Sequence, residues 1–526
     1  MESNFRRLSE NSGIFSETDT EIILSGEFFK IEEVVSVESL SKMSLLSQVS
    51  SGTSGGFAIN EDENINYIKN NPNLNLTGRN VIIAIADTVI DYLHPDFINA
   101  DGTSKILYLW DQTKEGNSPE GFYFGTEYTR DDINRAISEN DSTLSTDEVG
   151  SGTLLSGICA GLGVSNSLYE GVAKDSELIV IKLGTIDGKY NNAYYYVARD
   201  YARKKARELE RPLIINTSVG TNSDVGFINR ATQSTIWYQY RECEIAGIGN
   251  EGNTQTHASG KISAEGETQT VEIEIEEEEE FLRIELWICR PDRVNIKIIS
   301  PTGEESKDVG LGYYKNESGI FNFENTTYAV FYVFPTSYSG QEFIIINLYN
   351  ASPGVWKINL TGVYINSGCY NVYLPNRSLI NQNTRFLEPD PFYTVNFPTV
   401  DRNIFTVGAY DMINNSMWPP SSRGPNIRNI QKPNIVAPGV NIISAYPHNR
   451  YGNITGTSAA AAVTSGVAAL FLQYVTQNNQ YKRQGFTQSI YSFFQLGADR
   501  EDNIQYPNFI YGYGLLNARK IFEKFR

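Results

Sequence analysis

Cysteine is scarce in this chain, and the few cysteines stand far apart. The 526 residues include four, and their spacing matches no zinc-binding pattern: Cys159, Cys243, Cys289 and Cys369. We therefore expect buried free thiols, consistent with a reducing compartment. The sequence predicts no metal site and no cofactor.

Positive charge is also in short supply. Lysine and arginine total 43 against 62 acidic residues, a formal net charge of -19, which argues against nucleic acid and anionic membranes as partners. Residues 1–15 are polar and lack an apolar run, so no signal peptide is predicted. No segment is expected to span a bilayer. The hydrophobic content of 40% is that of a globular protein.

Buried strands alternate with a helical segment in the first half of the chain. Continuous apolar runs at residues 81–86, 178–181 and 213–216 predict parallel strands, and residues 191–209 predict a helix. This alternation predicts an α/β fold with a doubly wound parallel sheet, in which ligands bind beyond the carboxyl ends of the strands. Asp87 would lie at that edge.

The sequence pattern changes between residues 258 and 378, where apolar and polar residues alternate as in antiparallel strands. This pattern predicts an all-β jelly roll or sandwich inserted into the α/β domain. The acidic run at residues 276–280 is interpreted as a solvated hairpin tip rather than a cation site, because consecutive glutamates do not converge on one ion. The α/β pattern resumes near residue 404, and a last helix is predicted at 515–525.

A short leader precedes the α/β region. The apolar runs at residues 22–24 and 34–37 predict one or two strands, and the Gly/Ser-rich stretch at 50–56 predicts a flexible joint. The expected divisions are a leader with its linker at 1–56, an α/β domain in two parts at 57–257 and 386–526, and the β insert at 258–385.

A buried helix is predicted to begin at Gly456. Small residues and then apolar ones follow, with Thr457 or Ser458 at the helix N-terminus. A serine in that position can be a plain helix cap. It can also be a nucleophile whose own N–H stabilises an oxyanion.

Several blocks of this chain occur in the order found in the subtilisin family of serine proteases. The matching blocks are residues 87–91, 94–97, 216–220, 249–252, 421–425, 432–433, 437–440, 456–458 and 513–517. The resemblance implies that Asp87 is the triad acid, Asn250 the side-chain donor to the oxyanion and Ser458 the nucleophile. It also implies that Ser218, Val219 and Gly220 line the substrate groove, and that the leader is a shortened pro-domain remnant.

One block departs from the family pattern. Where the family has a histidine that heads a His-Gly-Thr-His motif, this chain has Ser151, and Leu154 replaces the second histidine. A serine hydroxyl cannot take a proton near neutral pH, so Ser458 would remain a weak nucleophile. We therefore expect no enzymatic activity, or almost none. A weak endopeptidase that uses another base, such as His448, is the alternative.

The β insert, the missing secretion signal and the Gly-Thr-Ser-Ala-Ala-Ala-Ala sequence narrow the resemblance to the clostridial Csp proteins of spores. That resemblance implies a pseudoprotease that regulates spore germination and is deposited in the cortex or coat. Its implied partners are other Csp proteins, namely an active protease and a germinant-sensing pseudoprotease, or a germinant signal. The uncut leader is expected to occupy part of the groove. A cortex-binding or cation-binding role for the insert is a third hypothesis.

Overall fold

The computed structural model describes residues 41–186, 188–223, 225, 240–310, 315–336 and 340–525, together with two short paired strands, β1 (Glu21–Ile23) and β2 (Phe28–Lys30). The fold is α/β, as predicted. The strand predicted at residues 34–37 lies outside the described residues. The described helices are α1 (Glu63–Asn70), α2 (Arg130–Glu139), α3 (Ser151–Ala160), α4 (Asn192–Glu208), α5 (Thr457–Gln477), α6 (Thr487–Gly497) and α7 (Ala518–Glu523).

The main sheet is parallel except at its two edges. Its strands are β6 (Ile82–Asp87), β7 (Ile106–Asp111), β8 (Thr126–Thr129), β9 (Glu177–Lys182), β12 (Leu213–Thr217), β14 (Glu242–Gly247), β25 (Phe405–Asp411), β26 (Ser416–Met417) and β27 (Ile435–Pro438). They lie in the order β26-β25-β14-β12-β6-β9-β7-β8, with β27 also paired to β25. Strand β6 therefore lies inside the sheet and carries Asp87 to its carboxyl edge.

Helices cover both faces of this sheet because the side chains of each strand alternate in direction. In β6, Ile83 and Ile85 pack into the cluster that includes α3 and α5. Ile82 and Ala84 pack into the cluster on the other face, which includes α4. A strand that is buried on both faces of the sheet is a continuous run of apolar residues, which explains why β6 could be predicted from the sequence.

Helix α5 is buried over most of its length. It packs against β12, β14 and β25 and beside α3. By length and composition it could cross a membrane, contrary to the expectation that no segment is apolar enough. However, 89% of its most apolar window is buried by the rest of the protein, so its apolar surface is already covered.

The last helix is shorter than predicted. It begins at Ala518 rather than at residue 515, because the Asn517 side chain accepts a hydrogen bond from the Lys520 N–H and so caps the helix there.

The β insert forms a sandwich of two sheets. One sheet has the order β15 (His257–Lys261), β23 (Cys369–Tyr373), β17 (Glu279–Ile288), β21 (Glu342–Ala351), β20 (Thr326–Val333) and β19 (Lys315–Phe321). The other has the order β18 (Arg293–Ile299), β22 (Gly354–Tyr364), β16 (Thr268–Ile275) and β24 (Arg385–Phe386). Alternate side chains of both sheets meet in one hydrophobic cluster. The jelly-roll topology stays a prediction.

Two predictions about the insert are wrong in part. Cys289 and Cys369 form a disulfide, with their Cα atoms 5.5 Å apart; Cys159 and Cys243 are buried free thiols, as expected. The sequence hides this pair, because the antiparallel pairing of β17 and β23 brings together residues 80 positions apart. In the acidic run, Glu279 is buried and accepts a hydrogen bond of 2.6 Å from the Thr384 hydroxyl, so only its neighbours are solvated.

The leader is built into the α/β domain by two small sheets. In one, β3 (Lys42–Leu45) lies between β11 (Lys189–Asn191) and β13 (Val219–Gly220), with β10 (Thr185–Ile186) beyond β11. In the other, β4 (Gln48–Ser50) pairs with β29 (Arg450–Thr455), followed by β28 (Ile442–Tyr446) and β5 (Phe57–Ala58). The predicted flexible joint thus begins inside a paired strand.

Candidate active site

Asp87 ends β6 and is completely buried. Its carboxylate accepts hydrogen bonds from the Thr88 N–H at 2.7 Å and from the Ser218 hydroxyl. Burial raises the pKa of Asp87 to about 6. The bonds from Ser218, Thr88 and Ser151 act in the opposite direction, and the charge of Asp147 adds to the rise.

Ser151 is the first residue of α3 and is also completely buried. Its hydroxyl interacts with the Asp87 carboxylate and lies 3.1 Å from the Ser47 hydroxyl of the leader. The helix approaches β6 closely because residue 152 is glycine: a Cβ there would lie 1.8 Å from the Val89 carbonyl oxygen. The structure therefore places Ser151 where it contacts both the triad acid and the leader.

Asp147 holds the start of α3, a role that the sequence prediction missed. Its carboxylate accepts hydrogen bonds from the Gly150 N–H at 2.7 Å and from the Thr153 hydroxyl at 2.6 Å. It also accepts a bond of 2.7 Å from the Thr88 hydroxyl, next to Asp87. The signal that could have revealed it is an acidic residue shortly before the small and apolar residues of α3, because negative charge is favoured at helix N-termini.

Ser458 is the second residue of α5 and is completely buried. It does not cap the helix: the capping residue is Gly456, and no side chain caps this end. Instead, the Ser458 hydroxyl donates to the Leu46 carbonyl oxygen at 2.8 Å, and the Ser458 N–H donates to the same oxygen at 3.3 Å. The Ser458 N–H thus lies where an oxyanion-hole donor would lie, whereas the Ser458 hydroxyl is the group that would have to attack the carbonyl carbon.

Asn250 is oriented by the residue that precedes Ser458. Its side-chain oxygen accepts hydrogen bonds from the Thr457 N–H at 3.1 Å and from the Thr457 hydroxyl at 2.9 Å. Because the oxygen is used in this way, the amide NH2 group is the end of the side chain that can serve an oxyanion.

The groove next to Ser458 is occupied by the leader. Leu45 pairs with Val219 and Ser44 with Gly220, in antiparallel register. The Leu46 N–H then donates to the Ser218 carbonyl oxygen at 2.8 Å. Beyond Leu46 the chain continues unbroken through Ser47 into β4.

The Leu46–Ser47 peptide bond therefore lies between Ser458 and Ser151. Ser458 contacts the carbonyl oxygen on one side of the bond, and Ser151 contacts the Ser47 hydroxyl on the other. The sequence-predicted residues Asp87, Ser151 and Ser458 thus come together around one peptide bond.

The pocket around the Leu46 side chain contains a further residue that the sequence prediction missed. A Cβ at Gly220 would lie 3.2 Å from both the Leu46 Cδ1 and the Asn396 side-chain oxygen. Asn396 is completely buried, and its side-chain oxygen has no hydrogen-bond partner among the described residues. Asn396 follows the β insert in the chain, so no motif near the groove strands indicated it.

The three histidines of the chain make hydrogen bonds to residues other than Asp87 and Ser458. His94 and His257 are buried, and their rings bond to the Arg450 and Asp390 carbonyl oxygens, at 2.9 and 3.0 Å. Burial lowers the pKa of His257. His448 lies exposed on the turn between β28 and β29, and its backbone N–H donates to Asp91. The site thus holds a peptide bond against oxyanion donors beside a buried acid, without an imidazole to take the proton.

Comparison with known proteins places this geometry in context. The model of the subtilase family of S8 peptidases matches residues 78–274 and 376–514, more than half of the chain. The serine protease AprX of Bacillus subtilis is 34% identical over 145 residues, which cover 24% of this chain and 31% of AprX. Subtilisin DY of Bacillus licheniformis is 31% identical over 126 residues, which cover 24% of this chain and 39% of that protein. The chain thus matches 31% to 39% of the length of these two relatives.

Among solved structures, the CspB protease of Clostridium perfringens has a similar fold. The TM-score is 0.79 at 25% sequence identity, and the superposition covers 88% of this chain and 96% of the CspB chain. The likeness thus extends well beyond the segments that match the family model.

Proposed function

The chain belongs to the subtilase family, and we propose that it is a catalytically inactive member that regulates bacterial spore germination by binding other proteins. The observation that carries this proposal is Ser151 beside Asp87, at the place where a general base must stand. A hydroxyl does not accept a proton near neutral pH, so the proton of Ser458 has no acceptor.

The triad acid does not take over this role. Its raised pKa is close to that of an imidazole, but its hydrogen bonds go to Thr88, Ser218 and Ser151 and none goes to Ser458. The loss of the histidine alone lowers the turnover of subtilisin by about two-million-fold. Oxyanion donors and binding leave a residual acceleration of only about a thousandfold to ten-thousandfold over water.

The position of the leader in the groove supports a binding function. Residues 42–50 form strands on both sides of the Leu46–Ser47 bond, and the Leu46 carbonyl oxygen occupies the donors of Ser458. While this segment stays attached, another polypeptide cannot reach Ser458 without displacing it.

The likeness to the CspB protease supports a place among the Csp proteins. Within that group we propose a CspA-type pseudoprotease rather than a CspC type, because Asp87 and Ser458 are retained and only the histidine is lost. The proposed partners are an active Csp protease and a germinant-sensing pseudoprotease. The proposed location is the cortex or coat of the spore, after synthesis in the forespore or mother cell.

One observation favours a second candidate, a weak serine endopeptidase. The Leu46 carbonyl oxygen lies 2.8 Å from the Ser458 hydroxyl and 3.3 Å from the Ser458 N–H, so slow self-cleavage would occur first at the Leu46–Ser47 bond. A cortex-binding or cation-binding role has less support, because the described residues include no group of His, Cys, Asp and Glu side chains that could hold a metal ion.

The intact mass of freshly purified protein separates the two candidates. The proposal expects one species that retains residues 1–46 and resists labelling at Ser458 by a fluorophosphonate. A Ser458→Ala variant is the matched control for labelling. Rapid labelling, or a new N-terminus at Ser47 that disappears in the control, would contradict the proposal. Binding to purified Csp proteins tests the partner assignment directly.

A further inference from the structure

We propose that the β insert forms part of the peptide groove and provides a subsite for a basic residue. The proposal deepens the proposed function, on which it rests, because it names the class of ligand: an extended peptide with a basic residue four positions before the residue whose carbonyl oxygen meets Ser458. In this chain the basic residue is Lys42 and the residue at Ser458 is Leu46.

The first contact joins Lys42 to Phe281 of the insert. The Lys42 ammonium lies 5.8 Å from the centre of the Phe281 ring, within the range of a cation–π interaction. Phe281 is 37% exposed, and its ring packs against Tyr349 on the neighbouring strand β21. The ring is therefore held in place by the insert, while one part of it remains free to meet a cation.

The acidic run makes the surroundings of Phe281 negatively charged. Residues 276–280 immediately precede Phe281, and all of them except Glu279 are exposed. Three exposed glutamates on the loop, together with Glu280 in β17, create a negative potential that favours a nearby ammonium group. The acidic run thus attracts a cationic side chain rather than a metal ion. The spacing of its glutamates does not reveal this role.

The second contact lies two residues further along the leader. The buried Asn376 donates from its side-chain nitrogen to the Ser44 hydroxyl at 2.7 Å and to the Gly220 carbonyl oxygen at 3.1 Å. Its side-chain oxygen accepts from the Asn222 N–H at 2.6 Å. One side chain at the end of the insert therefore joins the leader to the groove strand β13.

The spacing of these contacts follows from strand geometry. Residues two apart in an extended strand point to the same side, so Lys42 and Ser44 both face the insert. Met43 and Leu45 face the other way, and Met43 is buried in the cluster that includes α4. The insert thus contacts side chains at alternate positions of the peptide. Strands β11 and β13 bind the peptide backbone.

The test turns the leader into a ligand that can dissociate. A site for a specific protease is introduced into the exposed turn between Ser54 and Gly55 of the full chain. After cleavage, loss of the fluorescently labelled leader is followed in an excess of an unlabelled synthetic peptide of residues 41–50. The variants are Lys42→Ala, Phe281→Ala and the double variant. The matched control is Phe323→Ala, which removes another exposed aromatic ring of the insert, 82% exposed.

We expect each single variant to speed the loss of the leader by about two- to fivefold, the range of an exposed cation–π contact. The double variant should lose the leader no faster than either single variant, because both remove the same contact. High salt should reduce the effect of Lys42→Ala, because it screens the field of the acidic loop. The control should dissociate like the parent chain.

A second variant tests the other contact. Ser44→Ala should speed the loss by about three- to tenfold, because it removes a hydrogen bond from the buried Asn376. Both leader substitutions change the ligand and not the body of the protein, so their effects can be read even if Phe281→Ala fails to fold.

Two outcomes would overturn the inference. One is that Phe281→Ala speeds the loss of the leader equally in a chain with Lys42 and in a chain with alanine at position 42. This result would show that the ring has a purely structural role. The other is dissociation from both leader variants at the parental rate. Self-cleavage at Leu46–Ser47 before any protease is added would contradict the proposed function instead, and it would leave the coupling between Lys42 and Phe281 measurable.

Discussion

Replacement of Ser151 by histidine should restore cleavage of the Leu46–Ser47 bond. The bond already lies between Ser458 and Ser151, its carbonyl oxygen already meets the Ser458 N–H, and Asp87 is already positioned beside residue 151. The imidazole would have to displace the Ser47 hydroxyl, which lies 3.1 Å from the hydroxyl that it replaces. An imidazolium next to Asp87 would also stabilise the buried carboxylate.

The expected increase in the rate of cleavage is large enough to be detected even if the new imidazole is imperfectly placed. A typical kcat of about 10 s⁻¹, reduced about two-million-fold by loss of the histidine, gives a half-life of about 40 hours. By this route about a third of the parent chain at most would be cut within a day. With the histidine present, even a rate about a thousandfold below typical gives a half-life of about one minute.

The assay is the intact mass of the Ser151→His variant, followed over a day after purification. Its expected product is a new N-terminus at Ser47. The matched controls are Ser151→Ala, which supplies no base, and the double variant Ser151→His with Ser458→Ala, which supplies a base without a nucleophile. Ser151→Ala should be cut no faster than the parent chain, and the double variant should stay intact.

A folded Ser151→His variant that stays uncut for a day would refute the reasoning that only the base is missing. The distances around Asp87 and Ser458 would then have to differ from those of an active subtilase. Cleavage in the double variant would instead reveal a contaminating protease, and the measurement would have to be repeated with purer protein.

Three further changes have effects that follow from the structure. Asp87→Asn should raise the free energy of unfolding at pH 7.5 by up to about 3 kcal/mol, because burial raises the pKa of this carboxyl from 3.8 to about 6. In thermal unfolding scans, this gain in stability should disappear below about pH 4, where the carboxyl is neutral in both the folded and the unfolded state. Gly456→Ala places a Cβ 2.1 Å from the Leu46 oxygen at a φ of +149°; it should cost about 1–3 kcal/mol in chemical denaturation and expose the leader to added protease. Reduction of Cys289–Cys369 should cost about 2–4 kcal/mol, and alkylation of the unfolded chain should label two thiols before reduction and four after it.

Each of these predictions has a clear contrary result. For Asp87→Asn, a loss of stability that is the same at pH 7.5 and below about pH 4 would mean that the hydrogen bonds of the Asp87 carboxyl outweigh the cost of its buried charge. For Gly456→Ala, unchanged protection of residues 42–50 from protease would show that the leader does not lie against this glycine. For the disulfide, four labelled thiols without reductant would show that the bond does not form.

Much of the α/β fold could be predicted from the sequence, because its signals are local. The apolar run before Asp87 is buried on both faces of the sheet, and the predicted helix at 191–209 is found at Asn192–Glu208. Each signal arises within a single strand or helix, where periodicity reports burial directly. The substitution at Ser151 could likewise be read from the chain, because its motif is contiguous.

The tertiary structure alone decided what surrounds these residues. The bond from Ser458 to Leu46 joins residues 412 apart, and the contact of Asn376 with Ser44 joins residues 332 apart. No local pattern encodes such separations, because the pairing of β3 with β13 and the folding back of the insert set them. The sequence by itself determined that a serine stands where the family motif has a histidine. Only the packed chain decided which leader residues lie in the groove and that Asn376 of the insert contacts them there, because both depend on contacts between distant segments.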